Sequence, residues 1–435
     1  MAKDTTERLY ALVANEEDAR VCTDISEAAC REVPGNFLLM LLSQVLTSIG
    51  DLLINPKTIL AWLIPALGAP PALVSALVPI RESGSMIPQL AIGAWVRGHP
   101  RRKQFWVLGS VLQGVAVLGM AASVWLLDGV RAGVAIIALL IAFSLARGLC
   151  SVAIKDVQGK TIPKSRRGRL SGLAAMFSGL ITLALAAILF NDQTDPSLAL
   201  YTGLLLAAAA AWFVAALLFS RIDEFDGETQ GGGHALRQAW QSLSLLRDDA
   251  PFRWFVISRA LLMASALGSP FIVVLAQQQG GGALLLGSFV MAASLASAVS
   301  ASIWGFMADT SSRRVMIRGG ALASLACLGT AGFAQWPGEG SQWFFPLAFF
   351  VLSVAHAGVR IGRKTYLVDM AGGNKRTDYV AVSNTVIGLL LLVAGGLSAL
   401  ASLLSTEAVL WLLGGMGLAG TLASVRLQEV SVSSI

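Results

Sequence analysis

Long apolar stretches recur along almost the whole of this 435-residue chain. Each stretch runs for about 20 residues or more, which is enough to cross roughly 30 Å of hydrocarbon as an α-helix. None shows the two-residue alternation of a barrel strand, and a backbone in lipid has to satisfy its own polar groups. The sequence therefore predicts an all-α integral membrane protein. Its twelve predicted transmembrane helices, called spans 1 to 12 in chain order, are 36–66, 71–97, 104–127, 132–158, 168–191, 197–220, 252–279, 283–308, 313–335, 343–370, 378–403 and 407–425.

The composition supports this prediction. The chain is 55% hydrophobic and 13% charged, with a mean hydropathy of +0.69, which is unlike a soluble globular protein. Span 1 contains Asn55-Pro56-Lys57, so we expect a bend or break near the proline. The connection between spans 6 and 7 is acidic and glycine-rich and is the natural boundary between two halves. The predicted organisation is a tail at 1–34, an N-terminal half at 35–221, a linker at 222–251, a C-terminal half at 252–426 and a tail at 427–435.

The connections between the spans fall into two sets that differ in charge. One set is rich in lysine and arginine, and the other is short and nearly free of cations. An excess of Lys and Arg marks the cytoplasmic side of a membrane protein, so both termini are predicted to be cytoplasmic. We call the side with the basic connections the basic end of the bundle. Its cations are Arg97, Arg101, Arg102 and Lys103, then Lys160, Lys164, Arg166, Arg167 and Arg169, then Arg313, Arg314 and Arg318, then Lys375 and Arg376.

One loop motif occurs twice, between spans 2 and 3 and between spans 8 and 9. The second copy reads Gly305-Phe-Met-Ala-Asp309-Thr-Ser-Ser-Arg313-Arg314, and the first reads Gly93-Ala-Trp-Val-Arg97-Gly-His-Pro-Arg101-Arg102. The repeat continues further on, where 155–179 aligns with 364–388. Two six-span halves in parallel orientation are the arrangement in which the substrate site lies between the halves, near the middle of the membrane.

On these features the chain resembles the major facilitator superfamily of secondary transporters, over residues 36–425. The resemblance implies twelve helices in two six-helix halves, related by an axis along the membrane normal, and alternating-access transport of a small molecule. In that family the aspartate and arginines of the loop motif lock neighbouring helices on the cytoplasmic side in the outward-open state. The resemblance therefore implies that Asp309 caps or pairs with cations at helix ends, and that Arg313 and Arg314 supply charge partners.

The chain departs from the family pattern in two places. The first motif copy has Arg97 where the aspartate is expected, so the N-terminal half is predicted to lack the usual acidic latch. Drug antiporters of the superfamily often carry a Gly-Pro motif in span 5, whereas 173–190 contains Gly179 and no proline. This second departure weakens an antiporter interpretation.

Charged residues at bilayer depth are costly, about 2.5–3.5 kcal/mol each on insertion scales, and each suggests a functional site. Asp51 in span 1 and Arg81 and Glu82 in span 2 lie at similar distances from the basic end, so adjacent antiparallel helices would place them at one depth. One interpretation is a cluster in which Arg81 meets substrate or a partner while Asp51 or Glu82 takes a proton. The other is a static ion pair between two helices.

A second cluster lies in span 10, where His356, Arg360, Arg363 and Lys364 share roughly one face. Two interpretations are open for these charges and for those of spans 4 and 7: a gate at the cytoplasmic side, or side chains that line a cavity. The deeper ones are assigned to the cavity. The predicted substrate or coupling residues are Asp51, Arg81, Glu82, Arg147, Arg259, His356 and Arg360. The predicted cytoplasmic gate is Gly93, Arg97, Arg101, Arg102, Gly305, Asp309, Arg313, Arg314, Lys155, Asp156, Arg363, Lys364 and Asp369.

Cations exceed carboxylates among these buried charges, which favours an anionic or zwitterionic substrate. Coupling to protons through Asp51, Glu82 or His356 is the predicted drive. The sequence contains no phosphate loop, Ser-His-Asp set or metal-ligand cluster, so an enzyme, a cofactor and a metal are not predicted. The net charge of +6 belongs to the basic connections and does not indicate nucleic-acid binding.

The predicted function is gradient-driven transport of a small solute by a monomer in a plasma or bacterial inner membrane, in contact with lipid. Two alternatives stay open: an exporter of drug-like amphiphiles, and a membrane protein that has lost transport and acts as a sensor or assembly partner. The sequence does not identify the substrate, the direction of transport or the coupling ion.

Overall fold

The computed structural model describes residues 27–189, 197–227, 229, 243–280, 282–335, 343–370 and 375–430. All regular secondary structure in these ranges is helical. Eleven helical stretches are long and apolar enough to cross a membrane. The remaining predicted span, span 2, consists of shorter helices separated by a break.

The N-terminal half contains eight α-helices that build spans 1 to 6. Span 1 consists of α1 and α2, span 2 of α3 and α4 preceded by a 3-10 turn at Pro71–Leu73, and spans 3 to 6 of one helix each. The helices are α1 (Glu27–Leu53), α2 (Ile59–Ala66), α3 (Val74–Met86), α4 (Gln89–Arg97), α5 (Lys103–Leu126), α6 (Gly129–Thr161), α7 (Lys164–Leu189) and α8 (Leu198–Ser220). The break in span 1 falls at Pro56, as predicted.

The C-terminal half begins with a single helical turn, α9 (Leu245–Asp248), and then forms spans 7 to 12. Span 7 is divided into α10, α11 and α12, with interruptions at Met263 and Gly268 that the sequence analysis did not predict. The helices are α10 (Ala250–Leu262), α11 (Ala264–Leu267), α12 (Ser269–Gln278), α13 (Ala283–Thr310), α14 (Ser312–Phe333), α15 (Phe344–Met370), α16 (Lys375–Ser402) and α17 (Thr406–Val425).

The outer surface of the bundle is apolar. Phe306 is 80% exposed and Leu404 is 84% exposed, and many other leucines and valines face outward as well. Large contiguous apolar surface of this kind is unusual on a soluble protein and is what a hydrocarbon environment requires. Aromatic side chains instead fill the interior of each half, where Trp212 of the N-terminal half and Phe345 of the C-terminal half are fully buried.

Among the described residues, the two halves contact each other mainly through four pairs of spans: 2 with 11, 5 with 8, 1 with 7, and 2 with 7. In the middle of the bundle Ser83 Oγ donates to the carbonyl oxygen of Gly388 at 2.7 Å. At the end opposite the basic end, Gln277 Nε2 donates to the carbonyl oxygen of Trp62 at 3.1 Å. The halves are thus joined in the middle and at that opposite end.

Candidate functional site

Asp51 forms ion pairs with two arginines from two other spans. Arg81 Nη2 lies 2.8 Å from Asp51 Oδ1, and Arg147 Nη1 lies 2.6 Å from Asp51 Oδ2. The guanidinium of Arg81 also lies 5.0 Å from the ring centre of Phe143. We call Asp51, Arg81 and Arg147 the arginine triad. It joins spans 1, 2 and 4 and has one more positive than negative charge.

The break in span 1 explains part of this arrangement. Asp51 is in the last turn of α1, which ends at Leu53 because Pro56 follows. A carboxylate near a helix C-terminus is disfavoured by the partial negative charge of the last carbonyl groups. Two arginines offset that cost. The predicted equal depth of Asp51 and Arg81 is confirmed by their contact, and Arg147 is an additional partner.

Glu82 does not join the triad, although it follows Arg81 in the sequence. Consecutive helix residues point about 100° apart, so the two side chains face different neighbours. Glu82 is close enough to Lys57 of span 1 and Arg363 of span 10 to interact with both electrostatically. Among the residues that the structure describes, its carboxylate has no hydrogen-bond donor and no ion-pair partner within 4.0 Å. The predicted three-residue cluster is therefore divided, and Glu82 faces the C-terminal half.

In the C-terminal half, buried cations have neutral partners. Arg259 is only 5% exposed, and its guanidinium donates to Ser383 Oγ at 2.6 Å and to Asn384 Oδ1 at 2.9 Å. Arg363 Nη1 lies 2.8 Å from the sulfur of Met263. Within the described ranges, neither arginine has a carboxylate at ion-pair distance.

The remaining residues of span 10 complete a central group of charges. His356 Nδ1 lies 3.0 Å from Ser265 Oγ. His356, Arg360, Arg363 and Lys57 are all close enough to interact electrostatically. We call Lys57, Glu82, His356, Arg360 and Arg363 the central group. Arg363, which the sequence analysis assigned to the gate, lies in this group.

A separate polar network lies at the basic end of the N-terminal half. Arg102 forms an ion pair with Asp156, and Lys160 Nζ lies 3.1 Å from both Asp156 Oδ2 and Glu224 Oε1. The carboxylate of Glu224 also accepts hydrogen bonds from the backbone N–H groups of Arg102 and Lys103 at 2.7–2.9 Å. We call these five residues the basic-end network. The sequence analysis did not single out Glu224.

Surface contacts extend this network. Arg101 Nε lies 2.7 Å from Asp226 Oδ1, and this hydrogen bond raises the pKa of the exposed Arg101 guanidinium. Lys155 of span 4 and Lys364 of span 10 are exposed and close enough to repel each other. Asp369 is exposed near the end of span 10.

The second motif copy makes related contacts in the C-terminal half. Ser311 caps α14 by accepting from the Arg314 N–H at 3.1 Å, and its hydroxyl lies 2.5 Å from Glu429 Oε2. Arg313 Nη2 donates to the carbonyl oxygen of Val425 at 2.5 Å. Gly93 and Gly305 lie within α4 and α13. The side chains of Arg97 and Asp309, on which the predicted latch depends, lie outside the described part of the structure.

Comparisons with known proteins agree with this architecture. The family model of the Major Facilitator Superfamily matches residues 40–290 and 261–433. A search of curated protein sequences gives no match. The structure is similar to the nucleoside transporter NupG (D323A mutant), with a TM-score of 0.68 and 12% identity over 89% of this chain and 99% of that one.

Two further solved structures share the fold. A D-xylose-proton symporter gives a TM-score of 0.67 and 12% identity over 92% of this chain and 99% of that one. A POT family transporter in complex with a thioalcohol-conjugated peptide gives a TM-score of 0.66 and 15% identity, over 89% of this chain and 94% of that one. At these identities the similarity shows the fold alone. Since the family model covers most of the chain in two repeats, the protein belongs to the major facilitator superfamily and is a membrane transporter, not an enzyme.

Proposed function

We propose that this transporter moves a small anionic or zwitterionic solute together with protons, through a cavity between its two halves. The observation that carries the proposal is the charge balance of the central group. Lys57 and Arg363 share one carboxylate, that of Glu82, while Arg360 and His356 lie close enough to interact with both cations. A site with surplus positive charge attracts anions and raises their local concentration.

The arginine triad supplies a second element of the proposed mechanism. Asp51 is bonded to both arginines, so protonating Asp51 would weaken its hold on each of them. Movement of Arg81 or Arg147 toward a substrate would conversely leave Asp51 ready to accept a proton. Substrate binding and proton binding are then linked through the same ion pairs. A static pair between helices is the competing explanation.

We assign the basic end to the cytoplasm, with both termini there, in a plasma or bacterial inner membrane. The exposed Lys155, Arg360 and Lys364 would give the proposed cavity a positively charged approach from that side. The contacts between halves lie in the middle and at the opposite end. We propose that the structure represents an inward-open conformation of a monomer, in which six-helix halves at about 35–221 and 252–426 move relative to each other.

Transport assays in proteoliposomes test this function. Purified protein is screened for counterflow against organic anions, amino acids, sugars, nucleosides, peptides and amphiphilic drugs. Counterflow of an anion or zwitterion supports the proposal, and flux of amphiphilic drugs alone supports the exporter alternative. If no solute gives flux under any gradient, the transport proposal is wrong and a sensor or assembly role becomes the better explanation.

Proton coupling is tested with Asp51→Asn. This variant is expected to lose uptake driven by a pH gradient while keeping counterflow, because exchange of substrate requires no net proton movement. Uptake that survives unchanged would mean that the triad is only structural. Asp226→Asn, which alters an exposed pair far from the cavity, serves as the matched control.

A further inference from the structure

We infer that Glu82 is the internal counter-ion of the substrate site, and that the anionic group of the substrate replaces it on the arginines of the C-terminal half. In the empty transporter, Glu82 from the N-terminal half neutralises Arg363 and Lys57. When substrate binds, its anionic group occupies Arg363 and Arg259, and the released carboxylate takes a proton. This inference rests on the proposed function and specifies which half holds the anion and which residue, in addition to Asp51, takes a proton.

Arg259 is the first observation that supports the inference. A buried guanidinium without a carboxylate is costly, because hydrogen bonds to neutral groups replace only part of its hydration. Arg259 has only Ser383 and Asn384 as partners, and its Nε is buried without an acceptor in the described part of the chain. Arg363 lies within electrostatic range of Arg259 and raises that cost. Arg259, which has no carboxylate partner among the described residues, and Arg363, whose neighbouring carboxylate is that of Glu82, together form a site for an anion.

The contact between the halves places Glu82 on the side of span 2 that meets the C-terminal half, within electrostatic range of Arg363. Ser83 donates to the carbonyl oxygen of Gly388 at 2.7 Å, so span 2 lies directly against span 11. Gly388 is one helical turn after Asn384, the residue that holds Arg259. Glu82 therefore enters the C-terminal half's site from across the interface. Among the described residues, it is the carboxylate that interacts with Arg363.

The groups around Glu82 are cationic or neutral. Span 1 contributes Lys57 and span 10 contributes Arg363, while Arg81 precedes Glu82 on its own helix. From span 4, Arg147 is bonded to Asp51. Span 11 contributes the neutral Ser383 and Asn384, which bond Arg259 of span 7. Lys57 and Arg363 are the cations that interact with Glu82 from the other spans, and an anion bound to Arg363 would take one of these two partners from Glu82.

The chemistry of the two arginines defines the ligand group. Guanidinium groups bind planar or tetrahedral oxyanions through paired hydrogen bonds, so a carboxylate, sulfonate or phosphate group fits. One negative charge enters as one proton binds to Glu82. Transport of a monoanion through this exchange moves no net charge.

The experiment measures binding of sulfate, methanesulfonate and lactate to purified protein by tryptophan fluorescence and thermal shift. These anions do not titrate between about pH 5.5 and about pH 8, so any pH dependence belongs to the protein. Wild-type protein is expected to bind more tightly as the pH falls. Glu82→Gln is expected to bind at least about fivefold more tightly than wild type at the higher pH, with the pH dependence lost. Arg259→Gln is expected to lose binding.

Two controls make the result decisive. His356→Gln removes the imidazole of the central group and is expected to keep the pH dependence. Asp226→Asn is expected to behave as wild type, and gel filtration verifies that each variant is folded. If Glu82→Gln retains the wild-type pH dependence, the counter-ion role is wrong while the proposed function stands. If wild-type protein binds none of the three anions, both this inference and the proposed anion preference are wrong.

Discussion

The backbone N–H of Arg102 donates to both carboxylate oxygens of Glu224 in one shared hydrogen bond, at 2.9 and 2.8 Å. Arg102 is the N-cap residue of α5, directly before Lys103, and its own side chain does not cap the helix. A carboxylate at a helix N-terminus satisfies free N–H groups and interacts favourably with the helix dipole. Glu224 therefore replaces a conventional capping residue from a distant part of the chain.

Replacing Glu224 is expected to destabilise the N-terminal half. Glu224→Ala removes the cap of α5 and the partner of Lys160, and we expect a loss of about 1–3 kcal/mol in unfolding free energy. The measurement is the thermal unfolding midpoint in detergent. Asp226→Asn is the control, because its exposed pair with Arg101 is expected to contribute at most about 1 kcal/mol. Equal midpoints for the two variants would contradict the capping role.

The arginine triad is expected to show strong coupling between its members. Asp51→Asn leaves Arg81 and Arg147 adjacent without a counter-charge and should lower stability, though by less than the roughly 3–5 kcal/mol of a fully buried pair, because these side chains are partly exposed. Arg147→Gln added to Asp51→Asn should restore part of the loss. Additive effects in a double-mutant cycle of thermal stability would show that Arg147 does not depend on Asp51.

Close packing of spans 2 and 4 is expected to require glycine at position 84. A Cβ atom there would lie 2.6 Å from Ser144 Cβ, so the two helices have to separate to accept it. We expect Gly84→Ala to destabilise the protein by about 1–3 kcal/mol in thermal unfolding. Gly179→Ala is the matched control, since a Cβ there meets nothing within 4 Å. A stable Gly84→Ala variant would show that span 2 can shift.

Reversing one charge at the basic end is expected to slow transport. Lys155 and Lys364 repel each other across the two halves. Lys155→Glu replaces that repulsion with an attraction and should favour a conformation closed at the basic end. Uptake rates are expected to fall, with slower hydrogen exchange in the last turns of spans 4 and 10. Lys155→Gln is the control, since it removes the repulsion without adding an attraction, and identical behaviour of both variants would exclude the electrostatic explanation.

Much of the fold could be predicted from the sequence because hydrophobic length determines where a chain crosses a membrane. The break at Pro56 could also be predicted, because a proline disrupts the hydrogen bonding of a helix at its own position. The interruptions of span 7 at Met263 and Gly268 could not, because they depend on packing: a Cβ at Gly268 would lie 2.8 Å from the sulfur of Cys327 in span 9. No local sequence pattern reports such a contact.

The candidate site could be predicted only in part. Counting residues from the helix ends placed Asp51 and Arg81 at one depth, and they are bonded. Depth does not determine helix rotation, so the partnership with Arg147 and the separation of Glu82 from Arg81 were not predicted. Glu224 lies in an acidic run that has the pattern of a solvated linker, yet its side chain is fully buried. Glu224 caps α5 because the chain folds back against the start of that helix, and the local sequence does not indicate this long-range contact.

Glu224 and Glu429 occupy matching positions, each four residues beyond the final helix of its half, α8 or α17. Each returns to the start of that half's third span, at Arg102 or Ser311. Each six-helix half therefore binds the segment that follows its last helix against its own third span. Movement of one half relative to the other should then place no tension on the linker between them. If the chain is cut within 230–242 and its two parts are produced in one cell, we expect them to assemble into a working transporter.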